Sequence, residues 1–259
     1  MTGPTYLQFH LAFLLPAMSL LVATAFASRP RAAAAVRPLR GRGYWSGVAV
    51  ITVVALVYTT PWDNYLIANG VWSYAPGSTL ATLGHAPVEE YLFILVQPWL
   101  TALWLSHLSL PSEWPTVGAP IRGRLVGLAL AVAVGVGGWA ALGTPATFYL
   151  GAILAWAAPV LALQWVVGAP QLWARRRLVA LGVLVPTTYL CVADRVAIEY
   201  GIWVLSERYT TGVTLAGLPV EEALFFLVTN CFVVQGLVLY RWVSDRYAND
   251  TAPATGDSG

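Results

Sequence analysis

The chain has 259 residues, of which 58% are hydrophobic and only 10% charged. Its mean hydropathy is +0.67, a balance that excludes an ordinary soluble domain and fits a polytopic membrane protein. The net charge of +2 gives no reason to propose a nucleic-acid partner.

A spanning helix needs about 20 mostly apolar residues. Seven segments qualify, at roughly 5–27, 47–67, 87–109, 123–142, 146–168, 178–198 and 219–241. No basic residue precedes the first apolar run, so it reads as a span rather than a cleaved signal peptide. Every basic side chain is Arg. Without Lys no retinal Schiff base can form, which excludes a rhodopsin. Twelve of the 14 Arg residues lie between spans one and two, three and four, and five and six, or at the C-terminal end. By the positive-inside rule those loops face the cytoplasm and the N-terminus faces out. Residues 28–46 read as an inner-surface loop, and 247–259 as a disordered tail. Cys191 and Cys231 fall within spans and carry no redox motif.

An internal repeat organises the chain. Asp63, Gly70 and Trp72 recur 131 positions later as Asp194, Gly201 and Trp203. Pro87, Glu89, Glu90 and Phe93 recur 132 later as Pro219, Glu221, Glu222 and Phe225. Tyr6 and Pro16 match Tyr149 and Pro159. The expected architecture is an all-α integral membrane protein of seven transmembrane helices, built as two parallel three-helix repeats plus a connector helix. The divisions are 1–109 for repeat 1, 110–145 for the connector with helix four, 146–246 for repeat 2, and 247–259 for the tail.

Half of the twelve acids belong to the repeat: Asp63, Glu89, Glu90, Asp194, Glu221 and Glu222. An acid at a helix centre costs on the order of 3 kcal/mol. Under the topology above all six lie in one outer layer, where they could surround one cavity. Helix-start duty alone explains the Glu pairs poorly, because Ala86 and Leu218 cannot complete a capping box. Glu89 shares a helical face with Phe93, and Glu221 with Phe225, which favours those two as the cavity-facing members. A protonated Glu beside an anion can serve as donor with a base or cation stabiliser. Trp72 and Trp203 could lend aromatic faces to a cation. Asn64 is matched by Arg195, so the halves need not be equally active. His10, His85 and His107 lack metal-ligand spacing, and no GxGxxG fingerprint occurs. No metal and no cofactor are expected.

The doubled Pro-Val-Glu-Glu at 87–90 and 219–222, with Asp63-Asn64 and three helices per repeat, resembles the lycopene cyclase domain of the membrane-embedded, heterodimeric carotenoid cyclase type, in its fused tandem form. The resemblance covers about residues 5–241. It implies cyclisation of the acyclic ψ ends of lycopene to β-ionone rings. A proton is added to the terminal alkene, an internal double bond attacks the cation, and a proton is lost. Asp63, Glu89, Glu90, Asp194, Glu221 and Glu222 are then the expected catalytic set, and Asn64, Trp72, Phe93, Trp203 and Phe225 the expected substrate contacts. The expected partners are the bilayer and a carotenoid; the oligomeric state stays open.

Rival readings are weaker. A glutamyl intramembrane protease would need an Arg four residues after the second Glu, where Ile94 and Phe226 stand. A prenyltransferase would need paired Asp motifs for Mg²⁺. A proton-coupled transporter is the alternative outside enzymes. Within the cyclase reading, an ε ring, a C50 substrate and closure of one or both ends stay open.

Overall fold

A computed structural model describes residues 3–27, 36–38, 42–111, 114 and 121–250. The helices among them are α1 (Tyr6–Ala27), α2 (Arg42–Ala68), α3 (Val88–Leu105), α4 (Ile121–Ala141), α5 (Phe148–Ala174), α6 (Arg176–Glu199) and α7 (Val220–Asp250). Six are long and apolar enough to cross a membrane. The exception is α3, where Glu89, Glu90 and Gln97 dilute 18 residues. Its polarity matches its position, since α3 packs against α1, α2, α6 and α7 in the middle of the bundle. The described residues form a mainly helical, multi-pass membrane protein.

Most of the 28–46 segment lies outside the described residues, as do 251–259 of the expected tail. Residues 247–250 are not a tail but the end of α7. An ion pair of Arg241 with Asp245, 3.0 Å apart and one turn along the helix, supports the extension.

Pairings between helices obey a two-fold pattern. Helix α1 packs on α3 as α5 packs on α7, α2 on α3 as α6 on α7, and α2 on α7 as α6 on α3. Helix α4 stands outside this core and packs on α5, where Gly138 and Gly151 let the two backbones touch.

The connections that join α2 to α3 and α6 to α7 contain short strands. Both α2 and α6 end in Schellman turns: Gly70 and Gly201 take φ of 72° and 68°, while Val71 and Ile202 donate back to the carbonyls of Leu66 and Ala197. A side chain with a Cβ is strained there, which is the physical reason for the repeated glycine. The chain then enters β2 (Trp72–Tyr74) and β6 (Trp203–Leu205), which pair antiparallel with Tyr74 opposite Trp203. Each half adds a small hairpin, β3 (Thr82–Leu83) with β4 (Ala86–Pro87) and β7 (Thr214–Leu215) with β8 (Leu218–Pro219). On the other side, β1 (Val36–Pro38) pairs with β5 (Ser109–Pro111).

A buried polar knot ties the central helices. Asn230 accepts from Gln97, 2.9 Å away, and from Thr101, and donates to Thr187 and to the Phe226 carbonyl. Such bonds average about 0.6 kcal/mol in membranes, and a stranded buried partner costs about 1–3 kcal/mol. Asn230→Ala should therefore lower unfolding stability by about 1–3 kcal/mol, measured by denaturant titration in mixed micelles.

Candidate functional site

One cavity lies beneath the β2–β6 ribbon, between the two sets of helices. Its lining includes Asp63, Glu90, Asp194 and Glu222 together with Trp62, Trp72, Phe93, Trp203, Phe225 and Phe226. Four of the six expected acids therefore meet in one chamber. Asp63 and Asp194 come from corresponding turns of α2 and α6; Glu90 and Glu222 come from the first turns of α3 and α7. The four expected aromatic residues line it too.

The cavity-facing member of each Glu pair is the second, not the first. Glu89 and Glu221 are 1% and 0% exposed and turn away from the chamber. Oε1 of Glu89 accepts the Leu80 amide at 2.8 Å, and Oε1 of Glu221 accepts the Thr211 amide at 2.7 Å. They clamp the outer loops to the helix starts. Positions i and i+3 share a helical face as well as i and i+4, so Glu90 can join Phe93 once the loop has claimed Glu89.

Asn64 is also displaced from its expected role. Its Oδ1 accepts the amides of His85 and Ala86 at 2.7 and 3.2 Å, and its Nδ2 donates to Tyr91. It grips the β3–β4 hairpin and does not line the chamber. Arg195, its counterpart, does the same work in the other half by donating to the Ala216 carbonyl at 3.0 Å. The apparent asymmetry of sequence is two chemical solutions to one task.

Three tyrosines missing from the expected set hold the carboxyls. Tyr149 donates to Glu222 at 2.9 Å, and Tyr74 donates to Glu90. The Tyr6 hydroxyl also reaches Glu90, and the Trp203 indole reaches Asp194. Tyr74 accepts in turn from the Trp72 indole, 2.8 Å away. Burial, and then the neighbouring Glu90, push the Tyr74 phenol well above its ordinary range, so it remains a donor. The ribbon crosses the halves: Trp72 packs on Tyr149, and Trp203 on Tyr6, with centroids 5.6 and 4.9 Å apart. A signal for Tyr6 and Tyr149 stood in the repeat. Tyr74 had none, because Leu205 occupies its counterpart position.

Oδ2 of Asp63 and Oδ2 of Asp194 are buried without a hydrogen-bond partner. The arrangement gathers four carboxyl groups in one chamber with aromatic walls. That is a setting for making, steering and quenching a carbocation.

The comparisons agree with this chemistry. The chain matches the lycopene cyclase family over residues 5–108 and 146–242, leaving out the stretch that holds α4. It belongs to that family. It is 56% identical over 204 residues to a protein of Halobacterium salinarum named lycopene beta-cyclase, covering 78% of this chain and 85% of the relative. It is 32% identical over 239 residues to a bifunctional lycopene cyclase/phytoene synthase of Phycomyces blakesleeanus, covering 89% of this chain but 38% of the relative. A bifunctional relative from Gibberella fujikuroi shares 34% over 250 residues, 91% of this chain and 40% of its own length. No solved structure matches the chain.

Asn64→Ala should free the β3–β4 hairpin while leaving the cavity lining intact. The expected result is faster limited proteolysis between residues 77 and 86, with the helical circular dichroism signal retained.

Proposed function

We propose that this chain is a lycopene β-cyclase, converting the ψ end groups of lycopene to β-ionone rings and so yielding β-carotene. The observation that carries the reading is the convergence of Asp63, Glu90, Asp194 and Glu222 on one aromatic-lined chamber. The name of the Halobacterium relative supports a β ring over an ε ring or a C50 substrate. The β2–β6 ribbon lies across one end of the chamber, and beyond the four acids the lining turns apolar at Leu14, Leu190 and Phe226, which favours a reaction vessel over a proton path.

In this reading the architecture is seven spans, two parallel repeats at 1–109 and 146–246 joined by a connector at 110–145. The N-terminus faces out and the C-terminus faces the cytoplasm of the cell membrane, with the chamber near the outer surface.

A carboxylic acid in the chamber protonates the terminal double bond of a ψ end, leaving a tertiary cation. The internal double bond attacks that cation, forming the ring carbon–carbon bond and moving the positive charge into the ring. A chamber carboxylate removes the adjacent proton, and the ring double bond forms. Atoms balance without a cofactor, because the proton gained equals the proton lost. The faces of Trp62, Trp72, Trp203, Phe93 and Phe225 stabilise the cation by their quadrupoles. Exclusion of water keeps it from being captured as an alcohol.

Glu90 and Glu222 are assigned to proton transfer, with Asp63 and Asp194 completing each acid–base pair. Glu89 and Glu221 position the helix starts. General acid–base groups contribute about 10²–10⁴-fold. In a lycopene-accumulating bacterium the intact chain should yield β-carotene, and Glu90→Gln or Glu222→Gln should cut that yield at least ~100-fold. Glu89→Gln and Glu221→Gln keep a carbonyl for the loop amide and should retain most activity. Equal loss from all four, in normally inserted protein, would falsify the assignment.

Tyr74→Phe removes one donor from Glu90 and leaves Glu222 untouched. Chromatography of the pigments should show about a tenfold loss of rate, within the range for a hydrogen bond to a charged group. Tyr149→Phe should give a similar loss through Glu222.

A further inference from the structure

The chamber is too near one end of the bundle to house a whole C40 chain, so the polyene arm beyond the reacting ring must leave on one side. Two sides correspond under the repeat. Helices α1 and α6 face each other across one gap, and α5 and α2 across the other, neither gap narrow enough for extensive backbone packing. Each gap is latched by the same bond. Tyr189 donates to the Phe13 carbonyl at 2.6 Å, and its counterpart Tyr58 donates to the Trp156 carbonyl at 2.7 Å.

The filling differs. In the α2–α5 gap Trp62 stacks on Trp156 with centroids 4.7 Å apart, and Trp62 donates its indole N–H to the Ala152 carbonyl. Tyr58 stacks on the other end of Trp156 at 5.5 Å, and Phe225 lies 5.8 Å from Trp62 at an interplanar angle of 5°. That gap is plugged by a continuous aromatic stack. At the position 131 residues after Trp62 the chain carries Ala193, and Phe13 stands in place of Trp156. Phe9 is the larger partner of Ala152, but it lies edge-on against Trp203 and walls the gap. Correspondingly, the chamber extends down the α1–α6 side past Phe9, Leu14, Leu190 and Ala193, whereas Thr59 and Ala157, the counterparts of Leu190 and Leu14, do not line it.

We infer that the polyene arm of the carotenoid lies between α1 and α6, in the space that Ala193 opens and Trp62 closes on the opposite side. This rests on the cyclase reading for the identity of the ligand. The site takes a long, apolar, unbranched conjugated chain. Two rings on one molecule would then be closed in successive visits, each end entering the same chamber with the arm on the same side. The repeat supplies acids in duplicate, but the protein binds one substrate in one orientation.

Two experiments test it together. Ala193→Trp should lower kcat/KM for lycopene at least tenfold while the melting temperature stays within a few degrees of the intact protein. A photo-crosslinking side chain placed at Leu190 should capture lycopene, and the same group at Thr59 should not. Capture at Thr59 in preference to Leu190, or equally at both, overturns the inference even if Ala193→Trp fails to insert. Full activity in a stably inserted Ala193→Trp protein overturns it as well. Capture at Leu190 by a protein that forms no ring would leave the inference standing and sink the cyclase assignment instead, so the two failures are distinguishable.

Discussion

Carboxyl groups in hydrocarbon are the constraint on which the rest of the structure depends. Asp63, Asp194, Glu90 and Glu222 line a buried chamber, where an acid costs up to about 3 kcal/mol at a membrane centre and less towards an interface. Phenols offset part of that cost by donating to Glu90 and Glu222. Those donors come from a different element than the acid they serve. Tyr149 reaches Glu222 from α5 to α7, and Tyr74 reaches Glu90 from the ribbon to α3. Glu90 and Glu222 therefore act as fasteners between elements as well as the groups proposed to react.

The outer loops follow from the same constraint. Glu89 and Glu221 pin them to the helix starts, while Asn64 and Arg195 grip the hairpins from α2 and α6. Schellman turns at Gly70 and Gly201 aim the chain into the β2–β6 ribbon, whose Trp72 and Trp203 line one end of the chamber. Below, the Asn230 knot holds α3, α6 and α7 together one turn beneath Phe226. Rigid walls on both sides suit a reaction whose intermediate must not meet water.

Much of this was legible in the residues because duplication marks it. Four of the six repeated acids, with Trp72, Trp203, Phe93 and Phe225, line the chamber, while the favoured Glu89 and Glu221 do not, and the repeated glycines mark turns with positive φ. Three things were hidden. Helical periodicity places both Glu89 and Glu90 near Phe93, and only the loop amide at Leu80 decides between them. The strands of the ribbon are three residues long, too short to show an alternating pattern. Tyr74 and the Trp62–Trp156 stack break the repeat, so a search for echoes passes over them. The substitutions that make the halves unequal, Trp62 against Ala193 and Trp156 against Phe13, show their consequence only once the two gaps can be compared in space.

The most direct test of the account is a crystal structure of the protein in a lipidic phase with lycopene bound. An end group is expected beneath the Trp72–Trp203 ribbon, within van der Waals reach of Glu90, Glu222, Asp63 and Asp194, with no ordered water beside it. A bound carotenoid whose end groups both lie away from those four carboxyls would contradict it.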